Sequence, residues 1–316
     1  MVNYAKGNFA LCNPTQKTQR KVSFCVGRNE DNIMNKSLKK YFPVFVLPTL
    51  IAFIIAFVAP FIMGLGLSFT KFTTVTNATF VGFDNYIKMF SDPNHDFLNA
   101  LIFTTLFTIV SVITVNVLAF ALAMLLTRKM KGTNFFRSVF FLPNLIGGIV
   151  LGYIWQLLIN GVLDILVNSD ITKSSSYGFW GLVILNNWQL IGYMMVIYIA
   201  GIQNIPGDLT EASSIDGASP AKSLFKITIP MVMPSITICM FLTLTNSFKM
   251  FDQNLALTGG APGKATQMLA LDIYKTFYGR IGWAGVGQAK AVIFFIIVAL
   301  IAFLQLRATR SKEVEQ

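Results

Sequence analysis

Asn186, Asn187, Trp188, Gln189 and Tyr193 fall within one long uncharged stretch of this 316-residue chain, and Tyr153, Trp155 and Gln156 fall within another. A third ends in Asn246, Lys249 and Asp252. Amides exchange hydrogen bonds with hydroxyls, and aromatic rings accept C–H faces, so a few convergent groups of these types suit a site that holds a sugar. The candidate substrate path is Tyr153, Gln156, Asn187, Trp188, Gln189, Tyr193, Asn246 and Asp252, with Asn187 and Asn246 the amides farthest from an evident interface. A second reading stands beside this one. Trp and Tyr collect at membrane–water interfaces, and amides between apolar helices serve as packing contacts.

Bond-making chemistry has no comparable constellation. The only histidine, His95, has neither a second ligand nor a nucleophile beside it in sequence. Cys12, Cys25 and Cys239 form neither a disulfide framework nor a metal-ligand spacing. The string Gly259-Gly260-Ala261-Pro262-Gly263-Lys264-Ala265 approaches a phosphate-binding loop, yet Thr258 stands at the first glycine position and no Ser or Thr follows the lysine. Glycine and proline in such density mark an exposed turn. The chain reads as no enzyme, with no metal and no nucleotide of its own.

Residues 208–230 are the polar stretch with most local instruction. Asp208 is placed to cap a short helix, with Glu211 three residues on completing a capping box. Ala212, Ser213 and Ser214 keep that helix thin. Asp216-Gly217 ends it, and Ser219-Pro220 is a good N-cap and N1 pair for a second helix. Leu224, Phe225 and Ile229 share one face of the second, and Pro230 and Pro234 lead into an apolar stretch. A thin helix with small side chains suits another protein's groove, although an ordinary surface hairpin would look the same.

These segments are positioned by a chain that is 54% hydrophobic and 12% charged, too apolar for an ordinary soluble domain. Apolar stretches predict six membrane spans at about 43–69, 98–127, 138–160, 180–202, 230–248 and 283–306. The first is longer than a cleavable signal's apolar region and reads as an anchor. Lys290 interrupts the last, close enough to its end to snorkel to the headgroups. Residues 1–42 form a polar, basic tail without a core-forming pattern, expected to be poorly ordered, and Met34 followed by NKSLKKYF would make a normal start, so residues 1–33 read as dispensable or as the product of an upstream start. Residues 307–316 form the other tail. The two tails, the 128–137 loop and the 208–230 loop carry 17 of the 25 lysines and arginines, which the positive-inside rule places in the cytoplasm. The net charge of +11 thus reads as a topology signal and not as a nucleic-acid surface.

The first five spans hold no ionisable residue in their interiors, which argues against a proton relay. Transport would then draw on a separate ATPase, or the protein would be a passive channel or secondary carrier for small polar solutes. A non-transporting membrane scaffold is a third reading.

A resemblance bears on that choice. Glu211-Ala212, Asp216-Gly217-Ala218, then Phe225, Ile227, Ile229 and Pro230 resemble the EAA loop of bacterial ATP-binding-cassette importer permeases, with Ser213 where the family usually has alanine. FVGFDNY at 80–86, FFRSVFFLPN at 135–144, EASSIDGAS at 211–219 and TGGAPGKATQMLALDIYKTFY at 258–278 extend the likeness over about residues 43–306. It is nearest to the carbohydrate branch, the maltose-, glycerol-phosphate- and multiple-sugar-type subunits. The resemblance implies an all-α, six-helix type I importer permease fold in the bacterial inner membrane. It also implies a second homologous permease subunit, an extracellular sugar-binding protein, and two ATPase subunits that hold ATP and magnesium. Glu211, Ala212, Asp216, Gly217, Ala218, Phe225 and Pro230 would form the coupling helix and its flank.

Overall fold

The apolar stretches fold as helices. A computed structural model describes residues 42, 44, 46–74, 76–94, 96–128 and 131–310; the expectations for the N-terminal tail, for His95 and for residues 311–316 fall outside them. Among the described residues five helices are long and apolar enough to cross a membrane, and one bent pair makes a sixth. This is the all-α polytopic architecture expected.

Residues up to Met63 belong to one compact unit and Gly64 onward to another. The described part of the first is apolar helix with a π-helical stretch at Ile54–Val58; that helix, α1, is continuous over Val46–Leu67 and so ends within the second unit's residues. In the second unit a hairpin of β1 (Thr70–Phe72) and β2 (Ala78–Phe80) pairs Thr70 with Phe80 and Phe72 with Ala78. It is followed by α2 (Asp84–Phe90) and α3 (Asp96–Leu126). The Asn85 amide donates to the carbonyls of Ser68 at 2.8 Å and Thr70 at 2.9 Å. The FVGFDNY stretch is therefore a clamp on the hairpin, and the last helix packs against both: a β-carbon on Gly285 would stand 2.3 Å from the Thr70 carbonyl oxygen and 2.7 Å from the Asn85 amide nitrogen.

Span three departs from its expected limits. Helix α4 (Thr133–Phe141) passes into a 3₁₀ turn at Leu142–Leu145, and α5 begins only at Gly148 and runs to Val167. Pro143 has no N–H to continue the helical hydrogen-bond ladder; Leu142 before it is still helical, and the chain is extended by Ile146. The helix long and apolar enough to span here runs over 148–167, against the expected 138–160, and the polar link before α6 (Ser175–Gln203) is shorter than expected.

Helix α6 is the most enclosed of the five long helices, with 67% of its most apolar stretch buried against 28% or less for the other four. One core joins Val115, Ala119 and Ala123 of α3 to Met194, Met195 and Tyr198 of α6 and to Val232 and Cys239. A second joins Phe107 of α3 to Leu182, Val183 and Leu185 of α6 and to Met250, Leu257 and Met268. Together they make α3 and α6 parallel and α9 (Met233–Phe248) antiparallel to both. Polar contacts reinforce this packing: Tyr198 Oη donates to Asn116 Oδ1 at 2.7 Å, and the Asn116 amide donates to Thr243 Oγ1 at 3.3 Å.

Between α6 and α9 lie α7 (Gly207–Ile215) and α8 (Pro220–Met231), the latter meeting α9 at an angle of 71° around Val232. The chain over 220–248 is therefore a helix bent at Val232. At the opposite end of the bundle come α10 (Asp252–Leu257), α11 (Leu269–Gly279) and then the last span, α12 (Ala284–Arg310).

Lys290 on α12 does not snorkel. It is 1% exposed, and its ammonium donates to Asp272 Oδ2 at 2.7 Å and to Thr276 Oγ1 at 2.9 Å, both on α11. A buried ammonium is tolerable only when its charge is matched and its donors are used, and the stretch expected to be an open polar excursion supplies both partners.

Candidate functional site

The amides meet in one cleft. Asn144 comes from the 3₁₀ turn, Asn186, Gln189 and Leu190 from α6, Asn246 from α9, and Lys249 through Gln253 from the junction of α9 and α10. The cavity measures about 300 Å³, at the small end for small-molecule sites. Gln253 Nε2 donates to Gln189 Oε1 at 2.8 Å, and Gln189 Nε2 donates to the Ile146 carbonyl at 3.4 Å. Asn186 is 2% exposed, and its amide nitrogen has no partner among the described residues. Buried amides are ordinarily hydrogen-bonded, so an unpartnered donor in the wall of the cleft is an exception. Lys249 and Asp252 are exposed, line the same cleft, and are not ion-paired to each other among the described residues.

Helix α10 holds its side of the cleft through close packing on α5. A β-carbon on Gly148 would stand 2.7 Å from that of Asp252, and one on Gly152 2.6 Å from that of Ala256. The spacing Gly148-x-x-x-Gly152 clears one stripe of α5 for this approach, as small residues four apart do in membrane helices. The pattern was readable in the sequence and points to Gln253, which the sequence reading left out.

The expected substrate path divides. Gln189, Asn246 and Asp252 line the cleft. Asn187 does not: its amide donates to Thr114 Oγ1 at 2.9 Å and to the Val183 carbonyl at 2.8 Å, tying α6 to α3. Gln156 donates to the Leu257 carbonyl at 2.9 Å, tying α5 to α10. Trp188 packs edge-on against Trp155, Tyr193 against Phe141, and Tyr153 is 57% exposed outside the cleft. Asn144, Asn186, Phe251 and Gln253 line the cleft as well.

The 207–231 segment sits at the end of the bundle where α3 and α6 finish. Its first helix is capped differently from expectation. Pro206 occupies the N-cap position and no side chain bonds there, while Asp208 and Glu211 lie within the helix. The helix stops as the sequence predicts. The Ala218 N–H bonds to the Ser213 carbonyl at 3.0 Å and the Gly217 N–H to that of Ser214 at 3.1 Å, with Gly217 at φ +69°. This double closure is the Schellman arrangement, for which glycine is suited. Ser219 caps α8, accepting from the Lys222 N–H at 3.3 Å, with Pro220 at N1. Ser213 and Ser223 hydroxyls lie 3.3 Å apart and join the two helices. Glu211, Ala212, Asp216 and Gly217 are exposed, as is Phe225 at 68%, while Ala218 and Pro230 are half-buried.

At the other end a clasp of charges closes the α2–α3 turn onto the α11–α12 turn. Arg280 donates to Asp92 Oδ2 at 3.0 Å and to Asp96 Oδ2, and Lys264 reaches Asp96 Oδ2 at 2.6 Å. Burial pushes the Asp92 carboxyl up, but the Arg280 hydrogen bond, the Asn94 N–H and the nearby positive charges outweigh it and hold the group below its ordinary value. Burial lowers Lys275, and the neighbouring Lys264 charge adds to the effect against Asp272. Gly259, Gly260 and Gly263 all have positive φ, so the glycine-rich string is a turn; its tip at Gly263–Ala265 is exposed and its flanks Thr258, Thr266 and Gln267 are buried. A cavity of about 710 Å³ beside Asp96 and Lys264 shares no lining residue with the amide cleft.

A bundle of apolar helices around an amide cleft, with a polar helix pair projecting at one end, is the build of a transport protein. The family of binding-protein-dependent transport system inner membrane components matches residues 120–311, and this chain belongs to it. The chain is 45% identical over 281 residues to the probable starch degradation products transport system permease protein AmyD of Thermoanaerobacterium thermosulfurigenes, covering 86% of this chain and 94% of that protein. It is 29% identical over 291 residues to the multiple sugar-binding transport system permease protein MsmF of Streptococcus mutans, covering 89% of this chain and 99% of that one. In fold it is similar to a chain of a bacterial ABC transporter involved in the import of the acidic polysaccharide alginate, with a TM-score of 0.74 at 18% identity, over 88% of this chain and 98% of that chain.

Proposed function

We propose that this chain is the pore-forming permease subunit of an ATP-binding-cassette carbohydrate importer. The observation that carries the reading is the cleft: amides of Asn144, Asn186, Gln189, Asn246 and Gln253 converge between apolar spans, and one buried donor is unpaired. The names of the relatives with starch-degradation and multiple-sugar transport support the same substrate class. On this reading the chain forms half of the pore, with a second homologous permease subunit forming the rest.

The orientation follows from charge. With the 128–137 and 207–231 loops and both tails in the cytoplasm, the exposed α7–α8 pair meets an ATPase subunit, and ATP and magnesium are bound there and not by this chain. The end bearing the charge clasp faces outward, toward an extracellular sugar-binding protein. The test is purification from native membrane in mild detergent, identification of the co-purifying proteins, and ATP-dependent uptake of labelled malto-oligosaccharides by the reconstituted assembly. Recovery of an ATPase and a second permease with uptake supports the proposal. Recovery of the chain alone, with solute flux that ignores ATP, overturns it in favour of a passive carrier.

A further inference from the structure

The cleft continues as a row of aromatic rings. Phe251 lines the cleft, and its centroid lies 5.1 Å from that of Tyr274, which lies 5.0 Å from that of Tyr278. Tyr274 and Tyr278 are four residues apart on α11 and so project from one face of it. Exposure rises along the row, from half-buried Phe251 to 45% at Tyr274 and 73% at Tyr278. The opposite face of α11 supplies the buried packing through Leu269, Asp272 and Thr276, while Tyr278 also rests against Phe277, centroids 4.8 Å apart. Neither phenol is hydrogen-bonded to protein among the described residues.

Rings of this kind recur in membrane proteins as interfacial anchors. An anchor faces headgroups, however, whereas this row begins at a residue shared with five amides. Each step of about 5 Å is close to the length of one sugar ring, whose C–H face is apolar and fits an aromatic surface. Resting on the carbohydrate reading, we propose that Phe251, Tyr274 and Tyr278 form stacking subsites for successive sugar rings. The amides hold one ring by its hydroxyls, and the aromatic row holds the rings that follow it. The substrate class is then an oligosaccharide whose affinity grows with chain length, and α11 sets that preference.

The experiment measures ATP-dependent uptake of maltose, maltotriose, maltopentaose and maltoheptaose by the whole reconstituted complex, for the wild type, Tyr278→Ala, Tyr278→Phe and Tyr274→Ala. Tyr278→Ala should raise KM for maltopentaose about five- to tenfold more than KM for maltose, a range expected from loss of one aromatic contact. Tyr278→Phe, which keeps the ring, should restore the length dependence. A Tyr278→Ala defect equal at every length, no defect at all, or failure of Tyr278→Phe to restore it would each overturn the subsites while leaving carbohydrate import standing. A wild type that takes up none of the four sugars would instead sink the carbohydrate reading, and the subsites with it.

Discussion

Lys290 Nζ stands 2.7 Å from Asp272 Oδ2, with the two side chains 1% and 2% exposed. Gln267 donates to the other Asp272 oxygen at 2.9 Å and Thr276 accepts from the ammonium, so the pair is enclosed by its own hydrogen bonds. It joins α11 to α12 and thereby fixes the helix that carries Tyr274 and Tyr278.

Removing one partner leaves a buried charge unmatched, which costs about 3–5 kcal/mol. Lys290→Met should therefore lower the thermal unfolding midpoint in detergent, and Lys290→Met with Asp272→Leu should recover much of the loss. A single variant as stable as the wild type would show that the pair contributes nothing to holding α11.

Acid should loosen the charge clasp. The folded Asp92 carboxyl is held below its ordinary value of 3.8, so its contribution to stability is fully present above that value and is lost as pH falls through the lower, folded one. Unfolding followed from neutral pH down through this window should show a loss of stability that Asp92→Asn flattens. Parallel curves for the two proteins would mean that Arg280 and Asp92 do not act as a linked pair.

Gly192 allows α4 to touch α6. A β-carbon there would stand 1.8 Å from the Phe140 carbonyl oxygen, a contact with backbone that no side-chain motion relieves. Gly192→Ala should cost at least about 1–3 kcal/mol and move α4 with the adjoining 3₁₀ turn. Asn144 on that turn would leave the cleft, so sugar uptake should fall even in protein that still folds. Wild-type stability and uptake would count against the close approach.

Gly217 is the residue whose backbone the α7–α8 turn constrains most, at φ +69°. An L-residue there costs about 1–2 kcal/mol, and a β-branched one is worst suited. No atom lies within 4 Å of a β-carbon at this position, so the protein should still accumulate in the membrane. Gly217→Val should leave the complex assembled with ATP hydrolysis no longer stimulated by sugar, measured as ATPase rate against uptake. Normal coupling in that variant would remove α7 from the coupling path.

Local chemistry was legible where it acts locally. Asp216-Gly217 and Ser219-Pro220 specify the turn and the cap from side chains within a few residues, and both form as read. Asp208 illustrates the limit, because Pro206 starts the helix two residues earlier and carries the aspartate into its first turn. The apolar stretches likewise announce the helices, but the turn at Leu142–Leu145 puts the start of one at 148 and not at 138. Contacts across the bundle are another matter. Asn186 and Asn187 are neighbours about 100° apart on α6; one opens on the cleft and the other bonds Thr114 of α3, and only the rotation of α6 against its partners decides which. Lys290 alone looks like a span-end lysine; it becomes a buried partner because α11, eighteen residues back, folds against it.

The joint at Val232 sets α8 across the line of α9 at 71°, and α9 then runs sixteen residues to Phe248 beside the cleft. Such an arrangement is a bell-crank: at about 1.5 Å per residue the long arm measures about 24 Å, so a tilt of about 5° at the joint sweeps its far end through about 2 Å. Asn246 rides on that end and Lys249 just beyond it. A tilt of about 5°, carried rigidly through the joint, is therefore enough to open or close a hydrogen-bonding distance at the cleft.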